Sequence, residues 1–307
     1  MTITDGRDLA GFAAEIGDTG AVAVEGSRTR WYMGGEPEPG TRLVRAPVGI
    51  LEHRPEEMTV WVRAGTTVDE LHAELGRRGQ RTALPRRGGT IGGALAVGEN
   101  DLSVLGRGRV RESVLQVRYV SAEGAIVKGG GPTVKNVSGF DLPRLMVGSL
   151  GTLGLIAEVI LRTNPVPHES RWIESSDADP FVVPDVVLKP SAVLWDGTRS
   201  WVELEGHAAD VQAQQQALAT IGHWVDAEGP PDLPPYRWSL SPGNLRHLDR
   251  EAPGEFVASV AVGTVFARTP QPPRAPSPAM VVLATRVKQQ FDPTMRLNPG
   301  RVAVRSA

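Results

Sequence analysis

Four glycines bracket Thr90-Ile91 in the run Arg87-Gly88-Gly89-Thr90-Ile91-Gly92-Gly93-Ala94. Without Cβ atoms, this backbone can lie directly against a flat or anionic group, and a helix opening here directs its N-terminal dipole at that group. The same residues also suit a helix start packed tightly on a sheet. Related chemistry sits upstream in Glu25-Gly26-Ser27-Arg28-Thr29-Arg30. Successive N–H groups, two hydroxyls and two guanidiniums there can hold a pyrophosphate. A third stretch, KNVSGFDLPRLMVGSLGT at 135–152, places an Asn-Val-Ser-Gly turn, an Asp-capped helical run and a Gly/Ser turn ahead of a strand. Lys135 and Asp141 within it read more simply as a salt bridge or a helix cap than as ligand contacts. None of the three is a dinucleotide fingerprint of the G-x-G-x-x-G type, whose βαβ context is missing.

Other chemistries are excluded by what the chain lacks. It contains no cysteine, which removes disulfides, a thiol nucleophile and any Cys-ligated iron–sulfur cluster. Its six histidines form no H-x-x-x-H or carboxylate cluster, so no metal site is expected. His72 reads as a surface or boundary residue, and His207, His223 and His247 fall in the second half, where a substrate-facing histidine is the less favoured reading. The arginines at 107, 109 and 111 could form an electropositive wall, but a solvated loop is the preferred reading. Net charge is −2, which offers no electrostatic reason for nucleic acid or anionic lipid.

The elements that must position these turns follow from periodicity. Strand-like runs at 21–24 and 58–63 flank the first loop, with Val60 and Val62 on one face and Trp61 on the other. Thr67 and Glu70 form a capping-box pair opening a helix with Val68, Leu71 and Leu75, stopped by Gly79. Asp5 precedes a short amphipathic helix through Leu9, Phe12, Ala13 and Ile16. A hairpin is expected from 114–120 and 125–128, and a strand at 155–162. Asn164-Pro165-Val166-Pro167 breaks the pattern and marks a domain boundary. Beyond it lie strands at 192–195 and 200–205 around Asp196-Gly197, then a helix from about 208 to 225 carrying Val211, Leu218, Ile221 and Val225. Proline-rich patches at 229–235 and 269–278 read as surface loops or a linker, followed by a helix over 279–290.

At 307 residues, 40% hydrophobic and 22% charged, the chain is sized for two globular domains. No run approaches the ~18 apolar residues of a membrane span, and no signal peptide is evident. A soluble, cytoplasmic protein is expected.

The order and spacing of these segments resemble the vanillyl-alcohol-oxidase, or p-cresol-methylhydroxylase-type, FAD-binding flavoproteins, and in particular the FAD-binding subunits of glycolate-oxidase complexes. Asn298-Pro299-Gly300-Arg301 resembles the segment by which such chains return to the flavin domain. The resemblance implies an α+β fold: a two-subdomain FAD-binding domain over 1–168 (about 1–82 and 83–168), a small α+β cap over 169–268, and a linker, helix and return over 269–307. It implies cofactor contacts from Gly26, Ser27, Arg28, Thr29, Pro85, Gly88, Gly89, Thr90, Gly92, Gly93, Gly98, Gly139, Gly154 and Ile156, with 149–156 at the adenine end. Two departures stand out: Arg28 replaces a small residue, and Arg30 occupies the family's lysine position. With no Cys in the chain and no His in the phosphate loop, FAD would be held non-covalently.

The function implied is that of a subunit of a 2-hydroxy-acid (glycolate or D-lactate) dehydrogenase. A second flavin subunit and an iron–sulfur subunit would be its partners, and no catalytic residue is assigned. A self-sufficient FAD oxidase or dehydrogenase and a non-catalytic scaffold subunit are the alternatives.

Overall fold

The computed structural model describes residues 8–132, 141–248, 255–272 and 276–302. Residues 135–140 of the diagnostic stretch, Gly139 and Lys135 among them, lie outside the described residues, as does Asp5. The chain divides into two units. The first comprises residues 1–101, 109–166 and 275–306, and the second 102–108, 167–274 and residue 307.

The first unit is built on a five-stranded sheet in the order Ile50–Arg54, Thr59–Arg63, Leu155–Arg162, Val114–Val120, Ile126–Gly130. All neighbours are antiparallel. Thr59–Arg63 buries Val60 and Val62 and leaves Trp61 half-exposed, as period-two alternation demands. Leu155–Arg162 is central and buried nearly throughout, because its residues serve two cores. Ile156, Val159 and Leu161 join the core under the Val68–Gly76 and Ile91–Val97 helices. Leu155 and Ala157 pack with Phe12, Ile16, Val22 and Leu297 in another.

Helix ends in this unit follow local chemistry. Thr67 and Glu70 make the reciprocal capping box at the start of Val68–Gly76, satisfying two of the orphan donors of a helix terminus. Asp8 is the cap of the Leu9–Ile16 helix, accepting from the Gly11 amide at 2.7 Å. Asp141 accepts from the Arg144 amide and caps Leu142–Met146.

The returning C-terminal segment is pinned by Arg296, whose guanidinium donates to the carbonyls of Ile16, Gly17, Thr19, Gly20 and Ala122 at 2.8–3.2 Å. Two of these, Ile16 and Gly17, stand at the end of the Leu9–Ile16 helix, where carbonyls are left without intrahelical partners. Fully buried Asp292 holds the same corner, accepting from the Arg296 and Leu297 amides. Before it, the Pro278–Phe291 helix packs Val287 and Phe291 on the core. Its first turns expose Met280, Val281, Val282 and Leu283, four consecutive positions that span the helix circumference.

The second unit is a seven-stranded antiparallel sheet, in the order Val225–Ala227, Glu169–Ser175, Ser200–Gly206, Ala192–Trp195, Phe256–Ser259, Thr264–Ala267, Tyr236–Ser239. Asp196 accepts from the amides of Thr198 and Arg199, closing the turn that Gly197 permits at φ 100°. The helix expected to reach residue 225 runs only over Ala208–Leu218. Trp224 turns back to donate to the Leu218 carbonyl at 3.0 Å, and Val225 pairs with Glu174 as an edge strand. The β-branched residue that seemed to extend the helical stripe belongs instead to the sheet.

Arg107 also departs from the solvated-loop reading. It is buried in the second unit beside Glu205 at 3.2 Å and Glu203 at 3.8 Å. Arg109 and Arg111 are exposed.

Candidate cofactor site

The first unit contains a cavity of about 460 Å³. One wall is formed by two turns that interlock. The loop after the Val22–Val24 strand carries Gly26, and Thr90 caps the Ile91–Val97 helix, accepting from the Gly93 amide at 3.2 Å. A Cβ on Gly26 would sit 2.5 Å from the Thr90 hydroxyl oxygen, and one on Gly89 would collide with that of Thr29. Each turn therefore requires glycine where the other presents its threonine. Gly92 lines the cavity, yet its missing Cβ would lie 2.9 Å from the Ala64 Cβ. The close-packed helix start and the ligand-facing turn are thus the same piece of backbone.

Cationic groups surround this wall. Arg30 lines the cavity with its side chain only 8% exposed. Its Nε donates to Glu99, and its Nη1 donates to the Gly88 carbonyl at 2.8 Å and the Thr29 hydroxyl at 3.1 Å. Its Nη2 is buried without a partner. Arg301, from the C-terminal return, lies 4.0 Å over the Trp31 ring and donates from Nη1 to the Met33 carbonyl at 3.3 Å. Its Nε and Nη2 are likewise buried and unpartnered, and burial holds its pKa below the usual guanidinium range. Arg28 adopts a left-handed φ of 58° and pairs with Glu25 at 2.7 Å. That backbone region favours glycine, which fits a small residue at the corresponding family position.

The donor set suits a polyanion bearing a flat, partly apolar group. Buried guanidinium N–H groups without acceptors carry a desolvation cost that an anion would relieve. Across from them, Ala46, Val48, Ala64, Val97, Leu155 and Ile156 supply apolar wall. Among the described lining residues Glu25 is the sole acidic one, and both Arg28 and Arg45 lie beside it.

Of the residues singled out in the sequence, Gly26, Ser27, Arg28, Thr29, Thr90, Gly92, Gly93 and Ile156 come together at this cavity. Pro85, Gly88, Gly89, Gly98 and Gly154 are not among its lining. Gly154 faces the buried Tyr119 ring, which a Cβ would strike, and Gly98 caps the Ile91–Val97 helix with a left-handed φ of 67°. Sequence reasoning passed over Trp31, Arg45 and Gly65 as lining residues, whereas Leu150, Gly151 and Leu155 of the 149–156 stretch do line the cavity. None of the three belongs to a glycine-rich run; Gly65 is an isolated glycine, and a Cβ on it would collide with the Ala46 carbonyl. His207 stacks on His168 at 4.5 Å in the second unit, and His223 and His247 are exposed. His72 is partly buried, with Nε2 3.2 Å from the Leu84 carbonyl. Among the described residues, no group of three or more His, Asp or Glu side chains could hold a metal, and no helix is long and apolar enough to cross a membrane.

Comparison with known proteins defines the class. Residues 8–130 match the model of an FAD binding domain. The chain is 31% identical over 214 residues to glycolate oxidase subunit GlcE of Escherichia coli, covering 66% of this chain and 61% of that one. It is 34% identical over 145 residues to glycolate oxidase subunit GlcD of Bacillus subtilis, 45% of this chain and 31% of that one. It is also 35% identical over 116 residues to a mitochondrial D-lactate dehydrogenase [cytochrome] of Arabidopsis thaliana, 38% and 20% respectively. The chain thus spans less than two thirds of each of these relatives. In fold it is similar to alkyldihydroxyacetonephosphate synthase, with TM-score 0.67, 15% identity and coverage of 94% of this chain and 72% of the other. For p-cresol methylhydroxylase the TM-score is 0.50 at 12% identity, with coverage of 67% and 53%.

The matched domain is of the kind found in FAD-linked oxidoreductases. Residues 8–130 form an FAD binding domain of the p-cresol-methylhydroxylase type, and the chain is similar in sequence to glycolate oxidase subunits and D-lactate dehydrogenases.

Proposed function

We propose that the chain binds one FAD non-covalently in the first-unit cavity and serves as an electron-transferring subunit of a 2-hydroxy-acid dehydrogenase acting on glycolate or D-lactate. The observation that carries the binding reading is the set of unpartnered, buried guanidinium N–H groups of Arg30 and Arg301 on a cavity walled by interlocked glycine turns. Arg30, with the loop amides and hydroxyls of residues 26–29, would hold the pyrophosphate. Gly92 and Gly93 would let main chain approach the cofactor. Gly88, Gly89 and Pro85 would shape the turn from behind, and Gly98 and Gly154 would set the helix end and sheet packing around it. A non-covalent mode fits a chain without cysteine and a cavity lined by no histidine. When bound, FAD supplies hydride acceptance and one-electron release.

The subunit reading rests on the acid–base inventory. Removing hydride from a 2-hydroxy acid requires a base for the hydroxyl proton. Glu25, the acidic residue lining the cavity, is committed to Arg28 and Arg45. A sister flavin chain would then hold the substrate base, and an iron–sulfur chain would receive electrons that this cysteine-free chain cannot relay through a cluster. The exposed apolar turns of the Pro278–Phe291 helix suit a chain that buries surface in an assembly.

Denaturing the yellow protein with acid should release all its flavin into the supernatant. Flavin retained on the precipitated chain would overturn the non-covalent mode. Assayed alone with a dye acceptor, the protein should oxidise glycolate and D-lactate poorly, and activity should rise on co-expression with such partner chains. Turnover by the isolated chain at about 10 per second would favour a self-sufficient enzyme.

A further inference from the structure

Glu99 is not among the residues assigned to the cofactor from the sequence, yet it is among the most deeply buried carboxylates of the first unit, with its side chain 3% exposed. It follows Gly98, the left-handed cap of the Ile91–Val97 helix. Its two oxygens are divided between two guanidiniums. One accepts from Arg30 Nε and the other from Arg87 Nη1 at 2.8 Å. Glu99 thus bridges the buried Arg30 and the part-exposed Arg87. Arg30, which lines the cavity, is held in one orientation by bonds on Nε and Nη1, and its third nitrogen, Nη2, is buried and unpartnered. A guanidinium is a rigid fork, so fixing two nitrogens fixes the direction of the third.

We propose that Glu99 is a positioning residue for the anionic part of the cofactor. It clamps the two glycine turns together through Arg30 and Arg87 and presents Arg30 Nη2 to a phosphate oxygen. A lone Arg30 without this clamp would lose its orientation. The inference rests on the flavin reading above and adds to it a positioning role for a residue that lies off the cavity lining.

A double-mutant cycle on the full chain, stripped of flavin, tests it. FAD and riboflavin, which lacks the phosphates, are titrated into wild type, Glu99→Gln, Arg30→Met and the double variant, with thermal melting of each. Glu99→Gln should weaken FAD binding about tenfold or more, the loss of one charge-assisted hydrogen bond. It should leave riboflavin affinity unchanged, and it should add no further loss when Arg30 is already Met. Glu99→Asp, which keeps the charge one methylene back, should restore part of the affinity, and it replaces Glu99→Gln in the cycle if that variant fails to fold. Equal losses for FAD and riboflavin, or a loss that persists in the Arg30→Met background, would reduce Glu99 to a packing role and overturn the proposal. Wild type that takes up no FAD would overturn the flavin reading itself. Wild type and Glu99→Gln binding FAD equally would overturn this inference alone.

Discussion

Arg296 and Arg301 lie on the same returning segment of the chain, and burial holds both below the usual guanidinium pKa. Their surroundings differ in kind. Every guanidinium nitrogen of Arg296 donates to a backbone carbonyl, whereas Arg301 keeps Nε and Nη2 unpartnered beside the cavity and stacks on Trp31. One guanidinium is a closed lock, and the other is an open contact. The difference teaches that burial of a charge does not mark a site. What marks it is donor capacity that the protein itself leaves unused, because a buried donor without an acceptor costs free energy that only a ligand can recover.

The sharpest way to break this comparison is to remove each charge. Arg296→Met should cost about 3 kcal/mol or more of stability, since several buried carbonyls lose their donor together. Urea denaturation of the apoprotein measures it, and a loss under 1 kcal/mol would show that the lock is replaceable by water. Arg301→Met should leave apoprotein stability within about 0.5 kcal/mol or raise it, because an incompletely paired buried charge is removed. FAD affinity should nevertheless fall by about 1.5–3 kcal/mol, read by flavin fluorescence titration. Equal effects of the two variants on stability would erase the distinction.

The paired glycines sharpen it further at a smaller scale. Gly92→Val should destabilise the apoprotein by about 1–3 kcal/mol through overpacking against Ala64, seen as a lower melting temperature before any flavin is added. Gly93→Ala meets only the Thr90 hydroxyl, at 3.1 Å, so stability should shift by no more than about 0.5 kcal/mol. Its effect should appear in flavin affinity, where a methyl group enters the cavity wall. A melting temperature lowered as much as by Gly92→Val would assign both glycines to packing.

What the sequence by itself determined is the part governed by neighbours along the chain. The Thr67–Glu70 capping box, the Val60/Val62 alternation, the 114–130 hairpin and the Asp196-Gly197 turn all follow from interactions a few residues apart, and their residue types state those interactions directly. The two glycine turns could likewise be read as places where backbone must come close to something. Tertiary structure alone decided to what. Gly89 is required by Thr29, and Gly92 by Ala64. Arg107 is drawn to Glu203 and Glu205, nearly a hundred positions away, and Arg301 reaches the cavity from the far end of the chain. The end of the Ala208–Leu218 helix was missed for the same reason, because Val225 suits a helical stripe as well as a strand until a neighbouring strand accepts its hydrogen bonds. An arginine's letter is the same whether its nitrogens are satisfied or left open, and only the packed chain determines which acceptors come within reach of them.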